Sequence, residues 1–163
     1  MIKKKPMTHG LREKIRRYKK SKIDIADLLK DVLITGEDLS FAYISELNIA
    51  NEDISNCDFS NSTIKLIANK AKIKNSKFVR TQFVPGSSLR GADCRRSNFF
   101  KANLGHIDYS YSDLRGCNMC GAIMSFSSRL GYKCKISENI IDLFKKWWDI
   151  IPGDPMIDVK MED

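Results

Sequence analysis

No stretch of this 163-residue chain is both apolar enough and long enough to cross a bilayer, which excludes a membrane span from the reading. No apolar core of a Sec-type leader follows Met1–Lys5, so a cytoplasmic setting is expected. Histidine is scarce, and His9 and His106 lie in different regions of the chain. There is no glycine-rich phosphate loop, no Ser/His/Asp set and no paired acid dyad, so neither catalytic residues nor a cofactor are expected. The cysteines are odd in number (Cys57, Cys94, Cys117, Cys120 and Cys134), which without an export signal predicts free thiols in a reducing compartment. Cys117 and Cys120 form a lone CxxC with no second Cys/His pair at a useful distance, so no metal site is expected.

Positive charge is present in excess and is unevenly spread. Residues 1–36 carry 11 Lys/Arg against 4 Asp/Glu, residues 37–126 carry 11 against 9, and residues 127–163 carry 6 against 7. The excess is therefore an N-terminal property, suited to nucleic acid, anionic lipid or an acidic protein, or to solubility alone.

The dominant signal is a period of five. From residue 87 the chain reads SSLRG, ADCRR, SNFFK, ANLGH, IDYSY, SDLRG, CNMCG, AIMSF. The third position is large: Leu89, Cys94, Phe99, Leu104, Tyr109, Leu114, Met119, Met124. The first is mostly small, as in Ser87, Ala92, Ala102 and Cys117, and the second is usually Asp or Asn. Residues 37–66 repeat the pattern six times and residues 71–85 three times. A helix needs apolar residues at three-to-four spacing and a strand needs them every two. A period of five instead suits a chain that turns a corner each quintet, with its first and third side chains inward and its fourth and fifth outward, Gly105 among the outward ones. Backbone groups then pair between coils at about 4.8 Å per layer. The Asp and Asn at second positions are expected to bond corner backbone. Two breaks interrupt the period: the quartet Ile67–Lys70 and one residue added at Pro85-Gly86. Both predict distorted corners or small bulges.

Quintets such as ANLGH, SDLRG and ADCRR resemble the A(D/N)LXX pattern of the pentapeptide-repeat family. The resemblance covers residues 37–126. It implies an all-β solenoid, a right-handed quadrilateral β-helix of four to five coils. It also implies a non-catalytic protein, because members work as binding surfaces. Some members mimic DNA and bind gyrase or topoisomerase IV with a long acidic rod. This chain is short and basic, so that function is not expected. Other relatives are bacterial effectors, and small ones occur in phages and mobile elements.

The chain divides into a basic helical segment and cap over 1–36, the repeat over 37–126, and a C-terminal helix and tail over 127–163. Residues 8–20 place Leu11, Ile15 and Tyr18 on one face of an amphipathic helix, with Arg12, Arg16, Arg17, Lys19 and Lys20 around the rest. A second helix after Asp24 carries Ile25, Leu28 and Leu29. Both would plug the open end of the solenoid, where unpaired edges need cover. Residues 137–151 read as a helix in which Ile140, Ile141, Phe144, Trp147 and Trp148 form either a second cap or a dimer or partner interface.

The register also maps the surface. Lys74, Arg95 and Arg115 fall on one face as an outward cationic ladder, flanked by Lys72 and Arg96, beside an exposed Phe100. Like charges a layer apart repel unless something anionic or the solvent intervenes. The first expectation is therefore a protein partner, met by Phe100 and the C-terminal helix. The second is nucleic acid or another polyanion, met by Arg12, Arg16, Arg17 and the ladder.

Overall fold

The computed structural model describes residues 4–105, 107–124, 135–136 and 158–159. Its organising element is a parallel five-stranded sheet that runs up one side of a coiled chain. Strands β3 (Tyr43–Asn48), β4 (Thr63–Ile67), β5 (Gln82–Phe83), β6 (Asn103–Leu104) and β7 (Ile123–Met124) pair in that order. The other sides are held by single parallel bridges. One column runs Asp53, Lys72, Asp93, Asp113, the next Asp38, Asp58, Lys77, Asn98, Asn118, and the last Ile67, Ser88, Asp108. Each column links residues about four quintets apart, so the chain is a β-helix with four sides, as the period of five requires.

The interior follows the quintet rule. Leu89, Cys94, Phe99, Leu104, Tyr109, Leu114 and Met119 are all buried, as are Ser87, Ala92, Ser97, Ala102, Ser112, Cys117 and Ala122. Buried hydroxyls at first positions need partners. Ser97 Oγ donates to Ile73 O at 2.6 Å and Ser112 Oγ to Tyr109 O at 2.6 Å. Cysteine takes the same place: Cys57 Sγ donates to Ile34 O and Cys117 Sγ to Cys94 O. Burial pushes the Cys57 thiol up to about 11 and the Cys94 thiol upward as well, so both stay protonated and unreactive at neutral pH. The four described cysteines are free, and Cys120 is the exposed one.

One side of the core is an aromatic column. The Phe78 ring stacks on Phe59 at 5.2 Å and on Phe99 at 5.0 Å with nearly parallel planes, and lies 5.6 Å from Phe83. One large residue per layer in a straight column is the packing that the third position dictates.

Second-position side chains shape the corners. Asp58 accepts the amide of Ser60 at 2.9 Å, Asn98 that of Phe100 at 2.9 Å, and Asp108 that of Ser110 at 2.9 Å. The chain then turns through a left-handed residue at the fifth position, as at Asn56, Asn61, Asn75, Arg80, Arg96 and Lys101. An L residue there costs about 1–2 kcal/mol, least for Asn and nothing for Gly. This explains why so many quintets end in Asn or Gly.

The short step lies at residues 62–65 rather than at the expected Ile67–Lys70, because Leu66 and Ala68 are the inward pair of a full quintet, and the long step at 81–86 falls at the same corner. Pairing matches the segment 43–48 to 63–67, then to 82–88, then to 103–108. One coil is short there and the next is long, and the remaining columns stay in step. Gly86, with φ +87°, is the residue that permits the longer turn. A side chain there would stand 3.2 Å from Lys65 Cε. Gly105, expected outward, is buried in the next coil at this same corner.

The stacking also reaches upstream of Glu37. Asp24 bridges Tyr43, and β1 (Lys5–Pro6) pairs with β2 (Val32–Leu33) as a further layer. Helix α1 spans His9–Lys20, with Thr8 Oγ1 accepting the Leu11 amide as the N-cap. Its Ile15 is buried, and Leu11 and Tyr18 pack against the core. The expected second helix is a single 3₁₀ turn, Ala26–Leu29, that buries Leu29. Asp24 starts it by accepting the Ala26 amide. Near the other end, β8 (Lys135–Ile136) pairs in parallel with β9 (Asp158–Val159).

Candidate interaction surface

The expected cationic ladder is present, but it is not a row of bare cations. The second-position acids of the same column stand between its members. Arg95 donates two hydrogen bonds to Asp93 at 2.8 Å each, and Arg115 donates to Asp113 at 2.9 and 2.7 Å. Ion pairs also cross layers: Lys74 lies 3.1 Å from Asp93, and Arg95 lies 3.7 Å from Asp113. The repulsion expected between layers is therefore replaced by an alternating stack of both signs. The reason is the quintet itself, which sets Asp at position two beside Arg at position four, both outward. Lys72 and Arg96 flank the stack, exposed and without an ion pair among the described residues.

These carboxyls titrate low. Arg95 holds Asp93 down to about 2 by hydrogen bonding, against the upward push of burial. Burial raises Asp113, but hydrogen bonds from Arg115 outweigh it, and the Ser55 hydrogen bonds lower Asp53. A carboxyl lowered in the folded state stabilises the fold above its unfolded value near 4 and loses that contribution as pH falls through its folded value. The urea midpoint is therefore expected to fall as pH drops from about 4 to about 2, and to fall less in Asp93→Asn. An equal decline in both proteins would show that this stack does not set the acid limit.

The N-terminal cations divide into two groups. Three dock the segment on the first coils: Lys4 on Glu52 at 2.6 Å, Lys19 on Asp38 at 3.1 Å, and Arg12 on Glu37 through a bidentate contact. Glu37 and Glu52 stand at first positions of their quintets, where a small residue is the rule. The exception in the sequence marks where the N-terminal segment lies. Arg12, expected to meet a polyanion, is thus engaged within the molecule. Arg16 pairs with Glu13 on its own helix and stays exposed. Arg17, Lys20 and Lys22 are exposed and make no ion pair among the described residues.

Phe100, expected to be exposed, is half-buried, with Lys101 Nζ 5.1 Å over its ring. The most exposed aromatic among the described residues is Phe41, at 64%, followed by Tyr111 at 44% and Tyr43 at 43%. Phe41 holds a fifth position, the same corner filled in later coils by Asn61, Arg80, Lys101 and Gly121. The register contains this fact: EDLSF is a quintet that closes on a bulky ring at a left-handed corner. Ile140, Ile141, Phe144, Trp147 and Trp148 lie outside the described residues.

A family profile described as pentapeptide repeats matches residues 86–108 and 97–128, with 8 copies. The matched segment, 86–128, is similar to the repeats of that family, and the parallel coil described above is a β-helix, the fold of its members. No curated protein matches the chain. Among solved structures it is similar to the pentapeptide repeat protein Rfr23 of the cyanobacterium Cyanothece, at 20% identity and TM-score 0.39. That match covers 52% of this chain and 61% of the cyanobacterial one. A pentapeptide repeat protein of the Arabidopsis thaliana thylakoid lumen matches at 20% identity and TM-score 0.40, over 69% of this chain and 77% of its own. One from Nostoc matches at 18% identity and TM-score 0.26, over 95% of this chain and 97% of its own. Among the described residues no helix is long and apolar enough to cross a membrane, and no group of three metal-ligating side chains is present.

Proposed function

We propose that this chain is a non-catalytic module that binds a protein partner along the side of the rod carrying Lys74, Asp93, Arg95, Asp113 and Arg115. The observation that carries the reading is the alternation of sign on that side. A polyanion would meet the carboxylates of Asp93 and Asp113 in two of these three layers and be repelled there. A protein surface that itself alternates acid and base can match it layer by layer. The side chains are already held by their neighbours, so little rotamer entropy remains to be lost on binding. Complementary charge then sets orientation and partner choice more than raw affinity. The N-terminal helix and 3₁₀ turn serve as the lower cap in this reading. The expected cap or homodimer contact through Trp147 and Trp148 lies outside the described residues.

The test is affinity capture from the native host with the full chain, beside a variant carrying Arg95→Asp and Asp113→Arg. This exchange keeps the net charge but breaks the local pattern. A partner retained by the parent protein and lost by the exchanged one supports the reading. Identical capture profiles would remove this side of the rod from consideration.

A further inference from the structure

A second surface combines exposed rings with cations that make no ion pair among the described residues. α1 and the chain leaving it present Arg17, Lys20 and Lys22 to solvent. Phe41 stands between two open grooves, one lined by Arg16, Arg17, Lys20 and Glu13, the other by Lys22, Tyr43 and Asn61. Glu13 is the one acid in these grooves, and Arg16 already occupies it.

Two features mark Phe41; Tyr111 shares them at φ +60° and 44% exposure, but there Arg90 stands 4.8 Å over the ring. The Phe41 ring is 64% exposed, so the core gains little from it. Its backbone sits at φ +59°, a conformation that a bulky L residue rarely adopts. The coil above fills the same corner with Asn61, the next two with Arg80 and Lys101, whose charged ends reach water, and the last described coil with Gly121. Folding alone would favour Asn or Gly at position 41. A bulky ring held in an unfavourable conformation, turned to solvent and surrounded by free cations, calls for a ligand.

We infer that this surface binds single-stranded nucleic acid, with Phe41 and Tyr43 as stacking platforms and Arg17, Lys20 and Lys22 as phosphate contacts. The chemistry on the page favours this occupant over its rivals. A duplex hides the π faces of its bases, leaving Phe41 without a role. An acidic peptide would use the cations but not two rings. A bilayer needs a contiguous apolar face, whereas here cations and a polar Asn61 line the grooves beside the rings. Unstacked bases and phosphates use both components together, without sequence preference, because every base has a π face.

The experiment is fluorescence anisotropy with the full chain and a labelled single-stranded decanucleotide, as DNA and as RNA. The matching duplex, phosphatidylserine vesicles and polyglutamate form the other arms. The expected result is binding to single strands that weakens steeply with salt. Phe41→Asn should reduce that affinity about tenfold, from the loss of one stacking platform. It should leave the melting temperature unchanged or raised, because Asn suits the corner. Arg17→Gln with Lys20→Gln should flatten the salt dependence. No single-strand binding at about 50 mM salt, or equal affinity of Phe41→Asn and the parent, overturns the inference. So does Phe41-dependent binding to vesicles in preference to single strands. A lowered melting temperature for Phe41→Asn would assign the ring to stability instead. None of these outcomes bears on the alternating stack, whose exchanged variant is tested separately.

Discussion

Phe78→Ala is expected to destabilise the fold by about 3–5 kcal/mol, the usual range for deleting a buried Phe. Phe78 touches Phe59, Phe83 and Phe99 and is fully buried, so its loss opens a cavity in the middle of the aromatic column. The cavity has little means of collapse. Each layer is fixed by backbone hydrogen bonds to the coils on either side: the Phe78 amide donates to Asn98 O at 2.7 Å, and the Phe59 amide to Lys77 O at 2.7 Å. Moving one layer inward would strain both neighbours. In thermal unfolding the midpoint should fall by roughly 10 °C, given about 2–4 °C per kcal/mol in a chain of this size. A drop of only a degree or two would mean that the coils can pinch inward after all.

Ala102→Leu is expected to act in the opposite sense, by excess volume, and to cost about 1–3 kcal/mol. Ala102 is a first-position residue with no exposed surface, enclosed between Phe99 and the coils carrying Thr81 and Ala122. Backbone hydrogen bonds through Thr81 O and Ala102 O fix the layer height there, so a larger side chain can only force its neighbours off their rotamers. The paired control is Lys77→Leu, the same new side chain at an exposed second position, where effects stay within about 0.5 kcal/mol. Equal melting temperatures for the two variants would refute the inward assignment of first positions.

Much of this was legible in the chain. A third position that is usually large and a first that is usually small define the interior, because a narrow coil favours that combination. The Asp and Asn at second positions likewise announce their backbone hydrogen bonds. What the register does not contain is the pairing of side chains between layers. Arg95 and Asp113 are far apart in sequence and meet only because four quintets close a coil, so a column read one residue type at a time gives cations alone. Phe100 differs for a local reason. Its position is outward, but Lys101 of the neighbouring corner folds over the ring. Phe41 and the two glutamates at first positions were visible as exceptions to the pattern, and the exceptions carry the contacts and the exposed ring.

The corner between columns Thr63–Gln82 and Ile67–Ser88 has a practical consequence. A coil one residue short is followed by a coil one residue long, and every other side keeps its alignment. That edge behaves as an expansion joint, able to take up a change in chain length without transmitting it to the next storey. It is therefore the place to insert a fluorophore tag or a short foreign epitope beside Pro85. Lengthening any of the other three edges would shift large side chains out of the interior and small ones into their place.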